Sequence, residues 1–233
     1  MNVYYSLIFS FFGGLLLTSC GFSSGKFDTG DLDTTGEVDS TETKILVEYE
    51  SSAKQAVDLG LSVKWAACNL GATKPESYGD YYAWGETKPK AKYTEDNGCW
   101  HNVGYAALKS KGVIDDRGNL TAKYDAATSN WGAGWRMPTH DEIKELLNRC
   151  RWNWVTMNGV EGYKVTGPSG KSIFLPAAGY RYGAGADFVG SNGCFLGATA
   201  LNECAVSFNF DSDCYGWHSG FRSYGRSVRP VTK

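Results

Sequence analysis

The sequence predicts an α+β body, rich in short strands, with one clear helix and long loops. Three observations carry this. Glycine supplies 29 of the 233 residues, about 12% against roughly 7% in average proteins, and so frequent a glycine means many turns. Apolar residues alternate over short runs, which is the period of a half-buried strand. Only the segment 139–150 shows the i, i+3, i+4, i+7 spacing of an amphipathic helix. With 42% hydrophobic and 21% charged residues, the composition is that of a folded chain rather than a disordered one.

The N-terminal residues set the compartment. Leu7 to Leu17 is apolar apart from Ser10, Gly13 and Gly14. Such a run is too short for a membrane-spanning helix, which needs about 20 residues, and it fits the core of a signal peptide. Leu17-Thr18-Ser19-Cys20 follows, a tetrapeptide that resembles a bacterial lipobox. Met1 to Ser6 lacks the usual Lys or Arg. The reading is a lipoprotein signal peptide over 1–19, lipidation at Cys20, and a flexible lipid-anchored tether over 20–44. Gly21 to Thr43 is mostly Ser, Thr, Gly and Asp and buries too little apolar surface to offset its ordering entropy. The protein is therefore expected at the outer membrane, on its periplasmic or cell-surface face, held through a lipid anchor.

The body is expected over 45–233. Ile45 to Tyr49 reads as a short first strand. Val57, Leu59, Leu61, Val63 and Trp65 alternate and read as a half-buried strand or hairpin arm. Tyr78 to Trp84 is dense in aromatics, and Lys88 to Lys111 is polar and irregular. A short helix is expected within Thr121–Asn130. The clear helix starts at Thr139, where Glu142 three residues on completes a capping box, and Pro138 blocks backward extension. Ile143, Leu146, Leu147 and Cys150 form its apolar face, with Cys150 expected as a plain buried thiol. Tyr163–Thr166 and Ser172–Leu175 read as strands around the turn Gly167-Pro168-Ser169-Gly170. Ala205 to Phe210 alternates, with Phe208 and Phe210 on one face and Ser207 and Asn209 on the other.

Composition excludes several functions. A net charge of −2 and a pI near 5.9 leave no basic excess for a nucleic-acid backbone. The three histidines are scattered: His140 in the first turn of the helix, His101 and His218 in expected loops. No Ser-His-Asp order, paired carboxylates, zinc spacing or calcium-loop spacing stands out, Asp115-Asp116 included. No metal, cofactor or enzymatic activity is therefore expected. Beyond Cys20, six cysteines remain, Cys68, Cys99, Cys150, Cys194, Cys204 and Cys214, and six thiols allow 15 pairings among which sequence cannot choose. Arg136, Arg226 and Arg229 could clamp an anion, but structural bonds to carbonyls or buried acids are the expected role. The 14% aromatic content, on glycine-punctuated loops, points to ligand binding, since Tyr and Trp give large contact area at low entropy cost.

Several motifs carry a resemblance. V-D-L-G-L-S-V-K-W-A-A-C-N-L-G-A (57–72), Y-G-D-Y-Y-A-W-G-E (78–86), W-R-M-P-T (135–139), F-L-P-A-A-G-Y-R (174–181) and S-V-R-P-V (227–231) together resemble the Fibrobacter succinogenes major paralogous domain family, abundant in Bacteroides-type lipoproteins. The resemblance implies a C-type-lectin-like fold: small twisted antiparallel sheets with one or two helices and long loops, the two ends of the domain side by side. It also implies kinship with the formylglycine-generating group, whose oxidase chemistry would need a reactive cysteine pair; Cys204 and Cys214 are the only candidates. The Glu-Pro-Asn and Trp-Asn-Asp tripeptides of calcium-dependent sugar lectins do not occur.

Some proteins of this fold group are diversified by retroelements that rewrite adenines in a C-terminal repeat and cannot generate Lys. Lys occurs 15 times in the chain, yet residues 172–232 hold none. On this ground a ligand-facing surface, open to retroelement diversification, is expected at Phe195, Leu196, Asn202, Val206, Asn209, Tyr215, His218, Ser219, Phe221 and Tyr224. Phe208, Phe210 and Trp217 are expected inside as framework. The partner would be a protein or glycan at the cell surface. The alternative is a structural or adhesive surface protein without a defined ligand; an enzyme comes third.

Overall fold

Frequent glycines and short alternating runs give short strands, and the chain builds eleven of them around three helices among the described residues. The computed structural model describes residues 53–233. The expected signal peptide, Cys20, the tether and the Ile45–Tyr49 strand lie outside the described residues. In chain order the elements are β1 (Ala56–Val57), β2 (Lys64–Ala66), α1 (Tyr105–Ser110), a 3-10 turn (Ala122–Tyr124), α2 (Ala126–Trp131) and α3 (His140–Arg149). Then follow β3 (Arg151–Met157), β4 (Val160–Thr166), β5 (Ser172–Pro176), β6 (Tyr180–Tyr182) and β7 (Gly185–Asp187). The last four are β8 (Gly193–Leu201), β9 (Cys204–Phe210), β10 (Tyr215–Phe221) and β11 (Val231–Thr232).

The strands form three three-stranded sheets, β1-β2-β11, β3-β4-β5 and β10-β9-β8, and the hairpin β6-β7. All pairings between these strands are antiparallel. The mixed α+β class is therefore as expected. Trp65 on β2 faces Val57 on one side and Val231 on the other, which sets the two ends of the described chain side by side. The run Val57–Trp65 is two strands rather than one, because Gly60 turns the chain at φ +77°, a backbone that suits glycine.

Helix α3 starts as its residues dictate. The Glu142 N–H donates to Thr139 Oγ1, and the Glu142 carboxylate accepts the Thr139 N–H at 2.8 Å. Ile143 and Leu146 are fully buried, with Leu147 packed alongside. Cys150 departs from expectation: it is the C-cap and only partly buried, although burial still pushes its thiol up to about 11.

Two apolar cores result. The first gathers Trp65, Ile143, Trp152, Val165, Phe195, Val206, Phe208 and Phe210. The second gathers Tyr82, Trp84, Leu108, Met137, Leu196, Ala198, Ala205 and Val228. Consecutive residues of β8, Phe195 and Leu196, enter opposite cores, as do Ala205 and Val206 of β9. The β8–β9 ladder is thus covered on both faces. This corrects part of the expected ligand surface: Phe195, Leu196 and Val206 are each 0% exposed and meet no solvent.

Two arginines bolt the framework. Arg229 is fully buried and donates to Asn69 Oδ1, Ala66 O, Ala67 O and Phe174 O at 2.7–3.0 Å. Arg222 donates to Cys204 O, Trp100 O, Val103 O and Asn202 O, with its guanidinium 4.8 Å from the Trp84 ring centre. Arg136 forms a two-pronged pair with Glu142. The expected structural role therefore holds for Arg136 and Arg229.

Candidate functional site

Strand β10 is an edge strand, hydrogen-bonded to β9 on one side. The turn that delivers it is locally encoded. Asp211 Oδ1 accepts the N–H groups of Asp213 and Cys214, each at 2.9 Å. Burial works against ionisation of Asp211, but these donors outweigh it and hold the carboxyl below its usual range. Seven residues then run along the edge without one charged side chain: Tyr-Gly-Trp-His-Ser-Gly-Phe.

Period two puts Tyr215, Trp217, Ser219 and Phe221 on one side of β10. All four are exposed, Trp217 at 46% and Phe221 at 51%. Trp217 was expected inside with Phe208 and Phe210; those two are buried, but Trp217 is not. It shares its phase with Tyr215 and Phe221, and at an edge that side opens to solvent. Its ring rests against His140 at the start of α3, centroids 4.5 Å apart. Tyr215 stacks on Trp152 at 4.6 Å and 13°.

Beyond Phe221 the aromatic surface continues. Tyr224 packs on Phe221 at 5.4 Å, on Tyr180 at 5.6 Å and on Tyr182 at 4.8 Å. Tyr180 in turn meets Phe188 at 5.9 Å. These rings form a shelf in which Tyr182 is 46% and Phe188 59% exposed. The β6–β7 hairpin that carries it depends on Gly179, at φ +62°, where a methyl would collide with Asp187 O.

Of the ten expected ligand-facing residues, Tyr215, Ser219 and Phe221 share one side of β10, His218 is exposed on the opposite side, and Tyr224 joins the first group through Phe221. Asn202 is exposed on the β8–β9 turn at φ +46°. Asn209 is half-buried, with Oδ1 enclosed and unpartnered. Tyr180, Tyr182, Phe188 and Trp217 were missed. The aromatic–glycine alternation of Gly179-Tyr-Arg-Tyr-Gly-Ala-Gly-Ala-Asp-Phe188 was the signal for three of them.

A second concavity lies beside α3, a cleft of about 720 Å³ bordered by Asn119, Asp125, Arg136, His140 and Thr199. Most of these polar groups already have partners. Asp125 accepts the N–H groups of Thr128 and Met137, Arg136 is paired with Glu142, and Thr199 Oγ1 donates to Asn119 while accepting the His140 N–H. Of these groups, the buried His140 Nε2 alone lacks a partner among the described residues.

Redox and metal chemistry find no assembled site among the described residues. No cluster of three His, Cys, Asp or Glu side chains could hold a metal. The six cysteines are free. Cys204 lies opposite Phe221, whereas Cys214 precedes Tyr215 at the other end of the hairpin. Six residues of strand separate these ends, about 20 Å, so the two thiols do not converge. Burial pushes the Cys194 thiol up to about 11, which makes it a poor nucleophile.

Compared with protein-family models, curated proteins and solved structures, the chain gives no match.

Proposed function

We propose that the chain is an envelope lipoprotein, anchored through Cys20, whose C-type-lectin-like domain binds a protein or glycan ligand through the β10 face and the adjoining aromatic shelf. One observation carries this reading. Of the seven exposed large apolar side chains among the described residues, all but Tyr105 fall between Tyr182 and Phe221. Scattered exposed apolar residues need no explanation, whereas a continuous rimmed patch marks an interaction surface. The rings stand on hairpins backed by two packed cores, so little ordering entropy remains to oppose binding. The paired domain ends, the small antiparallel sheets and the capped helix support the lectin-like assignment. In this reading, retroelement diversification falls on the positions that reach solvent: Asn202, Tyr215, His218, Ser219 and Phe221, with Asn209 and Tyr224 at the margin.

The test compares the full chain with a Tyr215→Ser, Trp217→Ser, Phe221→Ser triple variant on glycan arrays and on intact bacterial cells. The wild type is expected to bind, and the triple variant to lose at least about tenfold in affinity while staying folded. Equal binding by a folded triple variant would refute the assignment of this face.

A further inference from the structure

The three buried C-terminal arginines are not equivalent. Arg222 and Arg229 each donate four hydrogen bonds. Arg226 is as enclosed, 6% exposed, yet its guanidinium donates only one among the described residues, from Nη1 to Phe221 O at 2.7 Å. Its Nε is buried with no partner. No salt bridge reaches it among the described residues. A guanidinium has five donors in a planar fork, and an enclosed cation without an anion is costly. Burial pulls its affinity for the proton down, and its neighbours Cys194, Tyr224 and Tyr180 supply no anion, because burial pushes their own pKa values up.

The tip of this side chain ends under the shelf. Its guanidinium carbon lies 5.5 Å from the Tyr224 ring centre. Nη2 occupies space left by Gly220, where a methyl would sit 2.5 Å away. Gly220 thus clears a path for the fork between β10 and the Tyr224 ring. Tyr180 and Tyr224 present nearly parallel rings, 24° apart, with Tyr182 tilted by 38° against Tyr224. Asp187 pairs with Tyr180 across the hairpin, whereas Arg181 between the two tyrosines lies over Tyr81 and Tyr93.

We propose that Arg226 and the Tyr180–Tyr182–Tyr224 shelf form a receptor for a carboxylate-bearing sugar, the carboxylate meeting the free edge of the Arg226 guanidinium and the sugar ring lying on the tyrosines. This rests on the binding reading above and names its ligand class. The chemistry matches on three counts. A planar carboxylate fits the guanidinium fork. Ring faces offer an apolar platform to the C–H face of a pyranose. Three phenol hydroxyls can pair with sugar hydroxyls, whereas a purely apolar ligand would have no use for them.

The experiment titrates the full chain with galacturonate, with galactose and with a glutamate-rich peptide, by calorimetry and by following the arginine Nε–H signals in a ¹⁵N-labelled sample. Galacturonate is expected to bind and galactose to bind at least tenfold more weakly. Galacturonate should also move one arginine Nε–H signal, that of Arg226. Tyr182→Ala, an exposed position, should weaken galacturonate at least tenfold without unfolding the domain. Arg226→Lys, where it folds, should abolish the preference for the acidic sugar. Equal binding of galactose and galacturonate, with loss of both in Tyr182→Ala, would overturn the role of Arg226 and leave the shelf as a binding face. An Arg226 signal unmoved by saturating galacturonate, or binding of the peptide alone, would overturn the proposal outright.

Discussion

Phe195 and Phe221 were indistinguishable as aromatic members of a lysine-free segment, and the fold separates them. Phe195 is 0% exposed and stacks on Phe208 at 4.9 Å and 7° and near Phe210 at 5.8 Å. Truncating such a ring loses its transfer free energy and leaves a cavity, about 3–5 kcal/mol together. In a domain of this size each kcal/mol shifts Tm by about 2–4 °C. Phe195→Ala should therefore lower Tm by about 6–20 °C. Phe221 is 51% exposed, and Phe221→Ala should cost under about 0.5 kcal/mol and move Tm by under about 2 °C. Thermal unfolding of the two variants by circular dichroism measures both. A Phe195→Ala protein that melts with the wild type would refute the two-core arrangement around β8. The gene offers a parallel readout: codons tolerant of adenine rewriting should mark Asn202, Tyr215, His218, Ser219 and Phe221 and spare Phe195, Leu196 and Val206.

Two further outcomes follow from the chemistry. Replacing Cys20 with Ala should end incorporation of a fatty-acid label and release the protein from the membrane fraction; continued labelling would rule out the anchor. The His140 ring touches Trp217 with its Nε2 buried and unpartnered, and burial, reinforced by Lys144 and opposed by Asp141, holds its pKa below the usual value. A depressed histidine pKa favours the neutral form, so its contribution is full above about pH 6.5 and fades as pH falls through the folded value. Trp217 fluorescence should be steady between about pH 7 and 8 and change on acidification, and His140→Phe should flatten that profile. An unchanged profile in His140→Phe would separate the two rings functionally.

Local chemistry was legible and tertiary chemistry was not. The capping box at Thr139 and Glu142 fixes the start of α3 from four residues. The strand read at Ala205–Phe210, observed as Cys204–Phe210, showed in its alternation because large and small side chains alternate there. Strand β8 did not show, because Gly-Cys-Phe-Leu-Gly-Ala-Thr-Ala-Leu has apolar residues on both faces, and a strand buried twice loses the period that identifies it. Trp217 is expected inside with Phe208 and Phe210, but its phase with Tyr215 and Phe221 places it at an open edge. The shelf gathers Tyr180 and Tyr182 from one hairpin and Tyr224 from a later turn, a meeting that no local pattern encodes. The inequality of Arg226 and Arg229, three residues apart, is likewise a matter of which carbonyls the fold leaves within reach.

The side-by-side ends of the described chain bear on when the protein can fold. Arg229 Nη1 closes on Ala66 O across 163 positions of sequence, and β11 completes the sheet that Trp65 anchors. Loop closure over such a span is entropically expensive and comes late. A chain synthesised from its N-terminus has no access to the Val228–Val231 segment until the preceding residues have all been made. Trp65 therefore stays unsheathed while the chain is being made, and its last covering strand is supplied by residues that arrive late.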